Sequence, residues 1–203
     1  MNNKICILDY GSGNAGSVLN AFTRLGFDAT ISNEVEDISK ASHLVMPGVG
    51  AFKASLDKIQ KLVPVDHIRQ QIVKGKPFLG ICVGMQVLAE TGFEFEKAPG
   101  LNLFNGSEVV ELPKSVIRPH VGWNNITINK EHPILSGIGD DADFYFVHSF
   151  YMTNLEDNSI IATCEYGLNF PAVVAKDNLV GVQFHPEKSQ KFGDQLIRNF
   201  VDL

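Results

Sequence analysis

A cysteine between two glycines marks the part of the sequence whose residue types suit covalent chemistry. Residues 76–90 read KPFLGICVGMQVLAE, in which Gly80 and Gly84 flank Cys82. An apolar run precedes this cysteine and helical spacing begins at Met85, which predicts a strand, a sharp turn and a helix. The two glycines let the backbone close in and push the cysteine out at the apex. At the helix N-terminus the thiolate is favoured over the thiol, so Cys82 is a candidate nucleophile.

A histidine followed by a carboxylate supplies the base that such a nucleophile needs. The segment 183–189, QFHPEKS, follows a strand-like apolar run, which places His185 at a strand end. Glu187 lies two residues further on, where it can hold one ring nitrogen of His185 and leave the other as a general base. Alone, the cysteine pattern fits a buried core cysteine equally well, and His-x-Glu fits a solvated turn. Their combination favours a catalytic triad of Cys82, His185 and Glu187.

Backbone N–H groups that stabilise an oxyanion are expected at two places. The N–H of Val83, directly after the cysteine, faces the position where the oxyanion would form. A loop after the strand-like residues 44–46 carries Gly48 and Gly50 on either side of Val49. These glycines free the loop to turn an N–H inward, so we expect the second donor there.

Composition limits the classes of partner and compartment. The 203 residues carry a formal net charge of −6, which argues against nucleic acid or an anionic membrane as the main partner. No apolar run approaches the roughly 20 residues that cross a bilayer, and the N-terminus has no signal-peptide pattern. Three widely spaced cysteines, Cys6, Cys82 and Cys164, fit a reduced cytoplasm rather than a disulfide framework. No metal-ligand spacing is present.

The elements that must position these residues change character halfway along the chain. Up to Glu90, strand-like and helix-like segments alternate, which predicts a mostly parallel central sheet with helices on both faces. Short strands that suggest antiparallel or mixed additions are then expected at 109–112, 126–128, 144–147, 160–162, 172–174 and 180–184, before a final helix at 195–200. The predicted fold class is α/β, in a single domain of residues 1–203.

With these motifs together, the chain resembles the class I, triad-type glutamine amidotransferases, and within them the glutaminase subunits of imidazole glycerol phosphate synthases. The elbow, meaning the sharp turn at residues 80–84 that carries Cys82, and the His-Pro-Glu segment at 185–187 are typical of the whole family. Gly-Trp-Asn at 122–124 and Glu-Lys-Ser-Gln at 187–190 are specific to this branch. The resemblance implies a flavodoxin-like fold and no cofactor or metal. It covers nearly the full length, through 9–14 (DYGSGN), 47–52 (PGVGAF), 76–86 (KPFLGICVGMQ), 119–124 (PHVGWN), 144–149 (FYFVHS) and 183–190 (QFHPEKSQ).

Carried over residue by residue, the resemblance implies more roles than the spacing alone. Cys82 would be the nucleophile, His185 the general base and acid, and Glu187 its orienting carboxylate. The substrate L-glutamine would be bound through its α-amino and α-carboxylate groups by Gln86 and the backbone of His148, Ser149 and Phe150. Ammonia would pass to a (β/α)₈-barrel cyclase or synthase subunit in a heterodimer, whose contact residues would be Asn14, Trp123, Asn124, Tyr145 and Lys188.

Departures from the family pattern affect the partner more than the chemistry. Phe150 stands where a tyrosine is usual, which removes a hydroxyl near the glutamine site. The segments 89–96 and 162–167 resemble a side branch that feeds ammonia to an amidotransferase of surface-sugar synthesis. The same glutaminase chemistry with a sugar-amidating partner is therefore an alternative. A cysteine peptidase or γ-glutamyl hydrolase, and a non-catalytic binding module, are further alternatives.

Because ammonia released without an acceptor is wasted, low basal activity that rises on partner binding is expected. The glycines around Val49 would let its peptide point away from the oxyanion site at rest. A tight turn with a fixed oxyanion hole is the alternative for this loop.

Overall fold

Strands and helices alternate in the first half of the chain, and strands dominate the second half. The computed structural model describes residues 3–140 and 142–203. In chain order its strands are β1 (Lys4–Leu8), β2 (Asp28–Ser32), β3 (His43–Met46), β4 (Phe78–Ile81), β5 (Ala89–Gly92), β6 (Ala98–Pro99), β7 (Phe104–Glu111), β8 (His120–Asn125), β9 (Thr127–Ile128), β10 (Asp143–His148), β11 (Phe150–Thr153), β12 (Ile160–Glu165), β13 (Asn169–Lys176) and β14 (Leu179–Val182).

The helices follow from apolar residues at helical spacing and from clear stop signals. In α1, Val18, Ala21 and Phe22 are buried on one face, and Gly26 follows the helix with φ of +89°. Pro64 separates α3 from α4 because proline cannot continue the preceding helix. The helices are α1 (Ala15–Arg24), α2 (Val35–Lys40), α3 (Phe52–Leu62), α4 (Val65–Val73), α5 (Val83–Gln86) and α6 (Gln190–Val201), with 3₁₀ turns at Pro133–Leu135, Asp157–Ser159 and Pro186–Lys188.

The central sheet has the order β2-β1-β3-β4-β14-β13-β12-β9. Its first five strands are parallel neighbours, and β13, β12 and β9 extend it in antiparallel fashion. β3, β4 and β14 are buried along their whole length, as strands covered on both faces must be. The carboxyl ends of β4 and β14 therefore lie side by side, and these ends carry Cys82 and His185.

Helices cover both faces of the parallel part. Right-handed crossovers place α1, which joins β1 to β2, opposite the helices that connect toward β3 and β4. Contacts agree, because α2 packs on α4, whereas α1 contacts the turn at 186–188. Phe22 of α1 also meets Phe200 of α6 edge to face, with ring centroids 6.4 Å apart.

Two small sheets lie beside the main one and complete the walls of the site. β10 pairs with β8 in antiparallel register, and β11, β7, β5 and β6 form the other sheet. The predicted fold class is confirmed: a mostly parallel core carries antiparallel additions in the C-terminal half. Each strand predicted beyond Glu90 overlaps an observed strand.

The sequence did not predict every element of the fold. It gave no signal for five that are short or carry polar residues at alternate positions: α2, β5, β6, β8 and β11. The last helix begins at Gln190, five residues before its predicted start at 195. Within the described residues, no helix is both long and apolar enough to cross a membrane. The same part of the chain holds no group of three or more His, Cys, Asp or Glu side chains arranged for a metal ion.

Candidate active site

Cys82 lies at the apex of a strained turn between β4 and α5. Its φ of 53° and ψ of −111° are rare for a residue with a side chain, and such a conformation costs on the order of 1–3 kcal/mol. The turn is held by backbone packing: a Cβ on Gly84 would lie 2.0 Å from the carbonyl oxygen of Met46, and one on Gly48 would lie 2.2 Å from the nitrogen of Gly84. Glycine is therefore required where the elbow meets the loop after β3.

His185 and Glu187 form a buried hydrogen-bonded pair. The Nδ1 atom of His185 lies 2.8 Å from Oε1 of Glu187, and neither side chain is exposed. The Nε2 atom of His185 has no hydrogen-bond partner among the described residues, so it is the ring nitrogen left for Cys82. The 3₁₀ turn that begins at Pro186 brings the carboxylate back onto the imidazole.

The environment favours the charged forms of this pair. Burial alone would lower the pKa of His185, but the neighbouring Cys82 and the Glu187 carboxylate outweigh it and raise that pKa above its usual value. Burial likewise opposes ionisation of Glu187, yet hydrogen bonds from His185 and Asn14 hold the carboxyl pKa below its usual range. A buried imidazolium beside a carboxylate suits a residue that must accept and return a proton.

Asn14 is buried beside the Glu187 carboxylate. The residue is only 3% exposed in the chain by itself, and its expected contact with a partner stays a prediction. Its Nδ2 atom donates to Oε1 of Glu187 at 3.0 Å, and its Oδ1 atom accepts from the hydroxyl of Ser12 at 2.7 Å. The loop between β1 and α1 therefore orients the carboxylate.

A cavity of about 270 Å³ opens onto the cysteine. Pockets for drug-sized ligands run from about 300 to 1,000 Å³, so this one suits a molecule of amino-acid size. It brings together Cys82 and most residues expected to bind glutamine or to form the oxyanion hole. The lining residues are Val49, Gly50, Cys82, Val83, Gln86, Glu94, Pro119, Val147, His148, Ser149 and Phe150.

The loop that carries Val49 and Gly50 is fixed at both ends. The hydroxyl of Tyr10 donates to the carbonyl of Pro47 at 2.5 Å, and the N–H of Phe52 donates to Glu94 at 2.6 Å. Gly50 has φ of +103°, a conformation that favours glycine. Gly48 lies against the elbow and does not line the cavity. Val83 is the first residue of α5, so no helical carbonyl accepts from its N–H.

A chain of hydrogen bonds orients the histidine and glutamine side chains. The Nδ1 atom of His148 lies 2.9 Å from the carbonyl of Phe150, which can only accept, so Nδ1 carries the proton. Its Nε2 atom then accepts from Nδ1 of His120 at 3.1 Å. Burial lowers the pKa of His148 to about 3. His148 is therefore a neutral residue of the cavity wall and is not suited to act as a general base.

The amide of Gln86 faces the same carbonyl. Its Nε2 atom donates to Phe150 at 2.8 Å and to Oε1 of Gln183 at 3.1 Å. Both N–H groups of Gln86 are thus engaged, and its carbonyl oxygen is the part of the amide left for a ligand.

The remaining residues expected at a partner surface lie on or beside the β8–β10 sheet. The rings of Trp123 and Tyr145 meet with centroids 6.0 Å apart, and Nζ of Lys188 lies 5.7 Å from the centroid of Tyr145. Trp123 is 47% exposed, whereas the amide of Asn124 is engaged locally, donating to the carbonyl of Glu165 at 3.0 Å.

Sequence reasoning missed two polar residues of the site. Glu94 lines the cavity from the hairpin after β5, and partial burial raises its carboxyl pKa. Nothing in the sequence predicted that this hairpin packs against Phe52 at the start of α3. Gln183 lies 3.7 Å from the sulfur of Cys82, and its spacing of two from His185 at a strand end was a usable signal.

Three comparisons place the chain among known proteins. A family profile described as glutamine amidotransferase class-I matches residues 6–203. The chain is similar to the imidazole glycerol phosphate synthase subunit HisH of Caldanaerobacter subterraneus subsp. tengcongensis, with 46% identity over 199 residues that cover 98% of each chain. The subunit HisH 2 of that synthase in Pseudomonas aeruginosa is 46% identical over 204 residues, covering 98% of this chain and 99% of its own.

A solved structure shares the fold at low identity. The structure of PurLQS from Thermotoga maritima superposes with a TM-score of 0.74 and 17% identity, covering 100% of this chain and 99% of that one. At such identity the likeness supports the fold alone.

Proposed function

The chain belongs to the class-I glutamine amidotransferase family, and from that premise we propose that it is the glutaminase subunit of an imidazole glycerol phosphate synthase. Its reaction would convert L-glutamine and water into L-glutamate and ammonia. The observation that carries this proposal is the strained Cys82 next to the buried His185–Glu187 pair, at the mouth of a cavity of amino-acid size. Residues 1–203 would act as a single domain.

Cys82 acts as the nucleophile in this scheme. Its thiolate attacks the side-chain carboxamide carbon of glutamine and forms a tetrahedral oxyanion. The imidazolium Nε2 of His185 gives a proton to the departing nitrogen, so ammonia leaves and a thioester remains on the sulfur. His185 then takes a proton from water, which attacks the thioester. The sulfur leaves as thiolate, the new carboxylic acid gives its proton to solvent as glutamate departs, and the starting pair of thiolate and imidazolium is restored. Glu187 keeps Nε2 directed at these groups through its bond to Nδ1.

Two backbone donors would stabilise the oxyanion. The first is the N–H of Val83, which has no helical acceptor. The second would come from the loop Gly48–Gly50, whose Val49 and Gly50 line the cavity. The loss of one such donor lowers kcat by about 10²–10³.

The opposite wall would bind the amino-acid end of glutamine. The free carbonyl oxygen of Gln86 and the Glu94 carboxylate suit the α-ammonium group, because both accept hydrogen bonds. The backbone of His148, Ser149 and Phe150 would contact the α-carboxylate side. The phenylalanine at position 150 leaves these backbone contacts available although it has no hydroxyl.

Ammonia would pass to a (β/α)₈-barrel cyclase subunit in a heterodimer. A surface of the exposed Val121, Trp123 and Lys188 with the half-buried Tyr145 lies on or next to the β8–β10 sheet. The main-chain N–H of His185 donates to the carbonyl of Tyr145 at 2.9 Å, so this surface is directly connected to the catalytic histidine. Aromatic residues such as Trp123 and Tyr145 are enriched in protein interfaces.

The acceptor reaction would be the histidine-biosynthetic one. The partner would use ammonia and a phosphoribulosyl-formimino aminoimidazole carboxamide nucleotide to make imidazole glycerol phosphate and an aminoimidazole carboxamide ribotide. A sugar-amidating partner remains an alternative, but the curated relatives at 46% identity do not favour it.

The test is to express the chain with the cyclase subunit of its own organism and to measure both half-reactions. We expect glutamate formation to depend on Cys82 and to rise when cyclase and acceptor nucleotide are both present, with imidazole glycerol phosphate as product. Glutamate formation without that product would favour the sugar-amidation alternative. Faster turnover of a γ-glutamyl peptide than of free glutamine would favour a hydrolase.

A further inference from the structure

We infer that Gln183 is a positioning residue that donates a hydrogen bond to the sulfur of Cys82 and favours its thiolate form. The side chain of Gln183 is fully buried, and its Nε2 atom lies 3.7 Å from Sγ of Cys82. That distance is within the usual limit for a hydrogen bond to sulfur. The inference deepens the proposed function, since it rests on Cys82 being the nucleophile.

The orientation of the Gln183 amide follows from its neighbours. The carbonyl oxygen of Phe150 can only accept, so the atom of Gln86 at 2.8 Å from it must be the amide nitrogen. The same nitrogen faces one end of the Gln183 amide at 3.1 Å, and that end must be the oxygen. The other end of Gln183, which faces the sulfur, is therefore an NH₂ group. A backbone carbonyl thus fixes the direction of both amides.

A second contact of the Cys82 sulfur favours the thiol instead of the thiolate. The carbonyl oxygen of Val147 lies 3.9 Å from Sγ of Cys82 and can accept a hydrogen bond only from the thiol. The thiolate has no proton to donate to Val147, but it accepts from the Gln183 N–H. Gln183 and Val147 therefore distinguish the two protonation states, and Gln183 stabilises the reactive one. Because the site is buried, a bond to a charged sulfur is stronger than it would be in water.

The backbone explains why position 183 carries this role. In the parallel pair of β4 and β14, Val182 is opposite Ile81, and the N–H of Cys82 donates to the carbonyl of Val182 at 2.7 Å. Gln183, the residue after Val182, therefore lies next to Cys82. Residues 183 and 184 form a bend directly after β14, from which the Gln183 amide reaches the sulfur and the chain continues to His185. One strand end thus supplies the base and a neutral donor.

The test measures the pH dependence of Cys82 alkylation in the full chain. Iodoacetamide is the probe, and mass spectrometry follows the peptide that contains Cys82, with the buried Cys6 and Cys164 as internal references. Gln183→Met keeps the volume but removes the donor, and Gln183→Glu keeps an acceptor for Gln86 but places an oxygen against the sulfur. Gln71→Met, at a buried glutamine in α4, is the matched control.

We expect Gln183→Met to move the alkylation midpoint up by about one pH unit and to slow alkylation about tenfold below that midpoint. Gln183→Glu should shift it at least as far, and Gln71→Met should leave it in place. An unchanged midpoint in a folded Gln183 variant would overturn the inference, as would an equal shift in Gln71→Met. If Gln183→Met fails to fold, the Gln183→Glu profile decides. The proposed function fails separately, if Cys82→Ser retains glutaminase activity.

Discussion

The buried contact between Asn14 and Glu187 makes the replacement Asn14→Ala a decisive perturbation. In the resting chain the asparagine amide donates to a carboxylate oxygen at 3.0 Å, on a Glu187 side chain with no exposed surface. The change removes this donor and leaves the bond between Glu187 and His185 at 2.8 Å in place. Ser12 also loses its hydrogen-bond acceptor.

The magnitude follows from the charge and burial of the acceptor. A hydrogen bond to a charged group contributes about 1.5–3 kcal/mol, and solvent does not reach this carboxylate to replace it. Only the share of this free energy that fixes the orientation and charge of the His185–Glu187 pair affects the rate of catalysis. We therefore expect kcat of glutamine hydrolysis to fall roughly tenfold, about 1.4 kcal/mol, with little change in KM.

The assay is glutamate formation by the isolated chain and by its complex with the cyclase subunit. Asn20→Ala is the control, because Asn20 is an exposed asparagine on α1, the helix that directly follows Asn14. A role in orienting Glu187 predicts the same fractional loss with and without the partner. If Asn14→Ala left the isolated chain unchanged and weakened only the complex, Asn14 would be an interface residue and the reasoning from its burial would be wrong.

Four further outcomes are expected. Glu187→Gln should keep the contact to His185 but lose its charge, so we expect a smaller loss of kcat than for His185→Ala; no loss at all would remove Glu187 from the triad. The pKa of Glu187 is depressed from its ordinary 4.5. The stability that its ionisation provides is therefore present above about pH 4.5 and lost as the pH falls through the depressed pKa. In urea titrations from about pH 6 to pH 3, the wild type should lose stability relative to Glu187→Gln. Gly84→Ala should destabilise the fold by at least about 1–3 kcal/mol, since its Cβ would meet a backbone oxygen at 2.0 Å. Gly16→Ala, in helix α1 with open space around it, should not lower the melting temperature, because alanine favours a helix over glycine. An unchanged melting temperature for Gly84→Ala would contradict the close approach. Glutaminase kcat should rise when the cyclase subunit and its acceptor bind. An equal kcat for the isolated chain, for the complex and for the complex with acceptor would mean that the oxyanion loop is constitutively active.

The residues that bond across short sequence distances were the ones that sequence could place. The glycines around Cys82 predicted a sharp strand-to-helix turn, and the structure has one, with φ of 53° at the cysteine. His185 and Glu187 are two residues apart, and a 3₁₀ turn is enough to bring them to 2.8 Å. Local backbone rules therefore predicted the geometry around both motifs. The parallel core followed from its buried apolar runs and the helices between them.

Local backbone rules could not predict contacts between segments that are distant in sequence. Glu94 reaches the cavity because the hairpin after β5 packs over α3, and the sequence had no signal for that packing. The resemblance implied a partner contact for Asn14, and only the fold shows that its side chain bonds to Glu187, 173 residues away. The pairing of Gln86 with Gln183 depends on β14 lying next to β4, which only the sheet order establishes.

The proposed reaction depends on attack of the Cys82 thiolate on glutamine, and the rate of glutamate release by Cys82→Ser measures that dependence. A hydroxyl stays protonated where a thiol ionises, so the variant should have no more than a few per cent of the wild-type kcat in the presence of the cyclase subunit. Its circular dichroism and its affinity for that subunit should be unchanged. Substantial glutamate release by a pure, folded Cys82→Ser protein would show that Cys82 is not the nucleophile.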